Sequence, residues 1–398
     1  MDSKKKKLGQ YFTKNEILQD IVYKLILNSP NKILEPSVGR GDLVNYVKIK
    51  STNVKFDMYE IDETINHLDN INKDDIIYGD FLKKEVNNKY ETIIGNPPFY
   101  NTKGIRNIYI DFIEKCYNLL IDNGELIFIV PSDFIKLTSS AKLINDMISN
   151  GTFTHIHHPN TESLFDNASI DIIIFRYCKN KNLDNKVKYY TELNDKDVNE
   201  WDDKYLINSN GIITLNDNNE INLEKINNYF NVYVGMVSGK EEVFKNDKLG
   251  NIKILNKKNK IDNYIYLKNF PSNNEELNSY LLKNKDILLK RKIKKFNENN
   301  FYEWGAPRNI TNIEKNYNKK CIYIQTLTRD NNVVFIDKVQ YFGGSLIMLI
   351  PKNDNINLDK IINYFNSNNF KKNYLYSGRF KIGHKQISNH LLNISNFI

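Results

Sequence analysis

Asn96-Pro97-Pro98-Phe99 carries the clearest chemistry in the chain. Two successive prolines hold the backbone extended, with fixed φ and no N–H donors. The Asn96 side-chain oxygen and the Pro97 carbonyl can then face one pocket. Such a pair of acceptors suits a planar aromatic amine. The lone pair of that amine is delocalised into its ring, so it is a poor nucleophile. Two acceptors drawing on its two N–H bonds favour a pyramidal nitrogen with a localised lone pair. Attack on an electrophilic methyl then needs no strong general base, because positioning and charge placement carry the rate. Pro98 rigidifies the turn, and Phe99 offers a face for a base to stack on. In isolation the tetrapeptide also reads as a turn with a buried aromatic. Its place after the apolar run Glu91 to Ile94 favours the site.

Three further segments could form a ligand pocket. In Glu35-Pro36-Ser37-Val38-Gly39-Arg40-Gly41, a strand runs into a loop with two glycines and then a helix. Gly39 and Gly41 let backbone approach a ligand closely, although a lone Gly-x-Gly is as often a tight turn. About twenty residues on, Glu60 ends a second strand, where nucleotide-binding folds hold a ribose diol. Asp80 follows a third strand and can accept a hydrogen bond from an adenine amine, with Phe81 beside it to pack on the ring. Singly, Glu60 reads as a surface carboxylate, Asp80 as a cap and Phe81 as core.

These residues need a scaffold that brings strand ends together. Helical spacing runs over Ile17 to Ile26, from Leu43 onward, over Tyr109 to Leu120 and over Leu143 to Ser149. Strand patterns cover 32–35, 54–59, 76–78, 91–94, 125–130 and 171–177. Strand-helix alternation predicts a parallel, doubly wound α/β sheet with ligands at the carboxyl ends of its strands. After Lys179 the chain turns polar and Asn/Asp-rich to Asn231. Short aromatic and β-branched runs follow at 232–237, 264–267, 321–325 and 333–336, with helices at 358–366 and 370–375. The division predicts domains at 1–180 and 181–398, the second of mixed α and β.

Composition bounds the rest. The net charge of +8 favours a polyanionic partner. Cys116, Cys178 and Cys321 are few, odd in number and far apart, which indicates neither a disulfide framework nor a zinc site and fits a reducing cytoplasm. No apolar run reaches the length of a membrane span. Lys4 to Lys7 has no apolar segment behind it and reads as a solvated tail rather than a signal peptide. His155, His157 and His158 read as a strand-edge or loop cluster with no metal.

Taken in order, these segments resemble the gamma-class, TaqI-like N6-adenine DNA methyltransferases. Gly9-Gln10-Tyr11-Phe12-Thr13 is similar to that family's first cofactor motif, and the glycine loop, Glu60, Asp80 and Asn96 to Phe99 follow it. The resemblance implies a Rossmann-like class I methyltransferase domain with a C-terminal α+β target-recognition domain. It implies S-adenosylmethionine as cofactor, with Thr13, Glu35, Ser37 and Val38 at its methionine end. Glu60 is then at the ribose, and Asp80 and Phe81 at the adenine. Asn96 and Pro97 bind the target amine, Phe99 stacks on a base flipped out of double-stranded DNA, and Phe165 matches a second stacking aromatic, equally readable as core. Val234 to Lys240 resembles the opening of a target-recognition domain. Lys240, Lys290, Arg291, Lys292, Lys294, Lys295, Arg379, Lys381 and Lys385 are candidate phosphate contacts, and Ser238, Lys240, Gln325 and Arg379 candidate base readers. The resemblance further implies a monomer, with a separate cognate restriction endonuclease as a possible partner. The same Asn-Pro-Pro-aromatic site also serves methylation of RNA or of a protein glutamine.

Overall fold

Four short strands with apolar interiors, β1 (Lys32–Glu35), β2 (Lys55–Glu60), β3 (Ile76–Tyr78) and β4 (Tyr90–Gly95), pair in parallel and bring their carboxyl ends together. The structure is a computed structural model and describes residues 9–102, 106–166, 169–180, 185–194, 196–219 and 222–398. The Lys4 to Lys7 run lies outside the described residues.

Helices connect the strands. α1 (Glu16–Lys24) starts at Asn15, whose side chain accepts hydrogen bonds from the Ile17 and Leu18 N–H groups. It buries Leu18, Ile21 and Val22. α2 (Asp42–Lys50) begins at Gly41, and α3 (Ile108–Leu119) presents Ile110, Ile113 and Cys116 to the core. β5 (Leu120–Pro131) then adds parallel to β4. α4 (Ala141–Ser149) leads to β6 (Gly151–His157), and β7 (Ile172–Lys179) inserts antiparallel between β5 and β6.

The expectation of a wholly parallel sheet is therefore corrected: β7 runs against its neighbours. A buried ion pair crosses this seam. Arg176 on β7 donates to Glu125 on β5 at 2.7 Å, and Glu125 also accepts from the Thr92 hydroxyl on β4 at 2.9 Å. Both charged side chains are satisfied, which is the condition for burying them.

The sheet extends beyond residue 180. β8 (Lys186–Tyr190), β9 (Asp202–Ser209) and β10 (Ile212–Asn216) complete ten strands in the order β10-β9-β8-β6-β7-β5-β4-β1-β2-β3. The sheet therefore runs past the division expected between residues 180 and 181. One compact unit runs to Glu220 and takes in Leu375–Gly378; the other comprises Ile221–Tyr374 and Arg379–Ile398. The polar, Asn/Asp-rich stretch thus contributes three strands, and the charged residues of β8 and β9 weaken the apolar alternation.

The second unit has its own sheet. β11 (Phe230–Val234), β14 (Lys320–Gln325), β15 (Val334–Lys338) and β16 (Leu346–Pro351) pair antiparallel in the order β11-β16-β14-β15; a hairpin of β12 (Ile252–Lys257) and β13 (Lys260–Tyr264) precedes β14 in the chain. The strand expected at 264–267 lies earlier, because the chain reverses at Asn259, where φ is +59°. α5 (Glu275–Lys283) and α6 (Leu358–Asn366) are the longer helices there. No helix among the described residues is long and apolar enough to cross a membrane.

Candidate active site

At the carboxyl ends of β1 to β4 lies a pocket of about 700 Å³. Ser37, Gly39, Glu60, Asp80, Phe81, Asn96 and Pro98, all expected at the site, line it. Thr13, Glu35, Val38, Gly41, Pro97 and Phe99 are not in its lining, and most have identifiable work behind it.

The glycine loop is held from both sides. Gly39 has a φ of +56°, and its N–H donates to Glu60 Oε2 at 2.8 Å. Its carbonyl accepts from His67 Nδ1 at 2.7 Å, so the His67 proton sits on that nitrogen, and Nε2 accepts from the Tyr78 hydroxyl at 3.0 Å. Gly41, at φ +89°, has Ile71 so close that a Cβ would fall 2.3 Å from Ile71 Cγ1. Val38 faces away, packing with Val44, Met58, Ile71 and Ile76.

The carboxylates differ in their setting. Glu60 Oε1 accepts from the Ile61 and Asp62 N–H groups at 2.9 Å each, which aims the side chain along the pocket floor. Burial nevertheless pushes its pKa up. Glu35 is 2% exposed and accepts from the Ser37 N–H at 3.0 Å. Burial raises its pKa to about 8, with the Glu60 charge adding to the effect. Asp80 accepts from the Leu82 N–H at 3.1 Å and pairs with Lys83. The Phe81 ring stacks on Phe112 at 5.6 Å, with the Lys115 ammonium 4.5 Å from its centroid.

Asn96 is the most informative group. Its Nδ2 donates to the Tyr11 carbonyl at 2.7 Å and to Thr13 Oγ1 at 3.0 Å. A carbonyl can only accept, so the amide orientation is determined. Oδ1 is buried and has no hydrogen-bond partner among the described residues. Thr13, expected against a cofactor, orients Asn96. Phe99 lies within 5.7 Å of Tyr11 and 6.1 Å of Phe165, so the two expected stacking aromatics do meet.

Sequence reasoning missed Gln10, Tyr11 and Phe12 as pocket residues, although the Gly9-to-Thr13 run was itself the signal. It also missed Asp62, which accepts from Gln10 Nε2 at 3.3 Å, and His67.

In the second unit two expectations are corrected. Arg291 is buried, and its guanidinium donates to the carbonyls of Leu288, Ser238, Glu303 and Phe301 while stacking 3.7 Å over Phe296. It is not available to phosphate. Gln325, buried, donates to Asp330 and the Asn332 carbonyl, which leaves its amide group no free donor for a base. Lys240 pairs with Glu242, and Lys294 with Glu303 at 2.8 Å. Lys290, Lys292, Lys295 and Lys385 are exposed; Arg379 and Lys381 are half-buried on a strand paired with Leu327–Thr328. His157 stacks on Tyr190, and His158 contacts Asp171 at 2.7 Å.

Comparison with known proteins places this site in context. Residues 13–165 match the family described as Eco57I restriction-modification methylase. The type II methyltransferase M.HincII of Haemophilus influenzae is 31% identical over 207 residues, covering 46% of this chain and 40% of that protein. The ribosomal RNA small subunit methyltransferase A of Cytophaga hutchinsonii is 37% identical over 120 residues, covering 28% of this chain and 46% of that protein. The solved structure of the type IIL restriction-modification enzyme MmeI in complex with DNA aligns over 97% of this chain and 64% of that one, at 11% identity and a TM-score of 0.61, a likeness of fold. The chain spans about two fifths of the length of the type II methyltransferases it matches. Its first unit has the class I methyltransferase fold, with β7 antiparallel in the order β3-β2-β1-β4-β5-β7-β6.

Proposed function

We propose that this chain transfers a methyl group from S-adenosylmethionine to the N6 amine of adenine in double-stranded DNA, as the modification enzyme of a restriction-modification system. The observation that carries the reading is the buried Oδ1 of Asn96, which has no hydrogen-bond partner among the described residues, in an amide whose orientation is fixed by Tyr11 and Thr13. Burying an acceptor without a partner costs about 1–3 kcal/mol, a cost that makes sense where a ligand donor arrives.

The donor set fits the cofactor. Glu60 suits the ribose hydroxyls, Asp80 the adenine amine, and Ser37, backed by the buried Glu35, the cationic methionine end. When bound, S-adenosylmethionine supplies an electrophilic methyl on a sulfonium. Asn96 Oδ1 accepts from the target amine and holds its nitrogen pyramidal, with the lone pair toward the methyl. The rigid Pro97-Pro98 backbone keeps that acceptor in register, and Phe99 orients the base plane. Pro98, Ile108 and Phe112 supply apolar lining. The names of the type II relatives support the restriction-modification setting. The exposed lysines of the second unit suit phosphate contacts made there.

The likeness to a ribosomal RNA methyltransferase favours one second reading, the same chemistry on RNA. Labelled methyl transfer to unmethylated DNA, RNA and protein in parallel, with nucleoside analysis, decides between them. N6-methyladenine in DNA is expected. Label confined to RNA or protein would overturn the DNA assignment.

A further inference from the structure

The ring that should receive the target base is already covered. Tyr11 stacks on Phe99 with ring centroids 5.7 Å apart at 28°. Phe165 meets Phe99 at 6.1 Å and 76°, and Tyr11 lies 6.0 Å from Phe165. Tyr109 meets Phe99 at 6.2 Å and 87°. These are direct contact distances for aromatic pairs. Phe165 meets Phe99 edge to face, whereas Tyr11 is its stacked partner, so the side of Phe99 that the Tyr11 ring occupies is not open to a base plane.

The backbone and the ring of Tyr11 are tied differently. Its carbonyl holds the Asn96 amide at 2.7 Å, and two residues earlier the Gly9 carbonyl accepts from the Phe99 N–H at 3.3 Å. The backbone is thus pinned to the Asn-Pro-Pro-Phe segment at two points. The half-buried ring borders the pocket and can rotate about its own side-chain torsions without disturbing either bond.

We propose that the Tyr11 ring is a placeholder for the target adenine. It covers the stacking face of Phe99, rotates aside as the base enters, and leaves its carbonyl on Asn96 throughout. The exchange trades one aromatic stack for another, so base capture is nearly balanced and favours a ligand that also satisfies Asn96 Oδ1. The proposal rests on the reading of Asn96 and Phe99 as the target-amine site.

Tyr11→Ala removes the ring and keeps the carbonyl; Tyr11→Phe keeps a ring. Tyr11→Leu fills the volume without an aromatic plane and serves if the alanine variant does not fold. The methylated site is first mapped on plasmid DNA, and duplexes with 2-aminopurine at the target position then report extrusion by fluorescence. Tyr11→Ala should raise the fluorescence enhancement and lower the KM for DNA by about two- to tenfold, the weight of one aromatic pair. Tyr11→Phe, which keeps a ring on Phe99, should show less enhancement than Tyr11→Ala; both are compared at saturating S-adenosylmethionine, because Tyr11 also lines the pocket proposed for the cofactor. A weaker enhancement, or an unchanged or higher KM for DNA, in Tyr11→Ala at saturating cofactor would overturn the placeholder. A wild-type protein that methylates no DNA would overturn the underlying site reading, and the proposal with it.

Discussion

Asn96 and Arg291 are both polar side chains set among apolar neighbours, and they are satisfied in opposite ways. Arg291 is 8% exposed, and its donors meet four backbone carbonyls, of Leu288, Ser238, Glu303 and Phe301. Burial draws its pKa down only to about 10, so it stays charged at neutral pH. Asn96 uses both amide hydrogens and leaves its buried oxygen unmet. A fully satisfied buried charge organises a fold. A buried acceptor held open by its own hydrogen bonds awaits a ligand.

The largest effect should separate the two roles outright. Asn96→Ala should lower methyl transfer by about 10²–10³-fold, the scale for losing one preorganised polar contact to a reacting group. Calorimetry should find cofactor binding retained, with unfolding stability changed by only about 1 kcal/mol. Arg291→Ala should do the reverse. Four carbonyls lose their donors, so stability measured by denaturant unfolding should fall by about 3 kcal/mol or more. A soluble, stable Arg291→Ala protein with weakened DNA binding alone would return Arg291 to the phosphate contacts.

Gly41→Ala sharpens the contrast on the backbone side. The positive φ and the approach of Ile71 should cost about 1–3 kcal/mol and weaken cofactor affinity, because the loop must shift. Thermal melts and calorimetry check it.

Glu35 gives a pH signature. Its folded pKa, about 8, lies above the ordinary carboxyl value of 4.5. The folded chain therefore holds a proton that the unfolded chain releases, and stability falls as pH rises from about 4.5 to about 8, then levels off. A cationic ligand beside Glu35 favours the carboxylate, so cofactor affinity should rise over the same interval. Glu35→Gln should flatten both profiles. A slope unchanged in that variant would assign the effect elsewhere.

Much of the first unit was legible. Strands 32–35 and 76–78 lie where the apolar pattern puts them, as does the helix at 358–366 in the second unit, which buries Ile361 and Phe365 on one face. The residues of the Asn-Pro-Pro-Phe segment, the glycine loop and the carboxylates all carry local signals, and they do converge. What was not legible depends on partners distant in sequence. Arg291 sits in a Lys-Arg-Lys run that reads as a solvated face, and only Phe296, Ser238 and Glu303 reveal that it turns inward. β8 and β9 are rich in Lys and Asp, so alternation is weak. The roles of Tyr11, Thr13 and His67 come from contacts across 85, 83 and 28 residues, which no local pattern records.

The most direct test compares wild type and Asn96→Ala in one assay: methyl transfer from S-adenosylmethionine to DNA, read as N6-methyladenine, with cofactor affinity measured on the same preparations. The account predicts N6-methyladenine from the wild type and a loss of about 10²-fold or more in a variant that still binds cofactor. Normal turnover by Asn96→Ala would contradict it, since the open oxygen of Asn96 would then have no part in activating the amine.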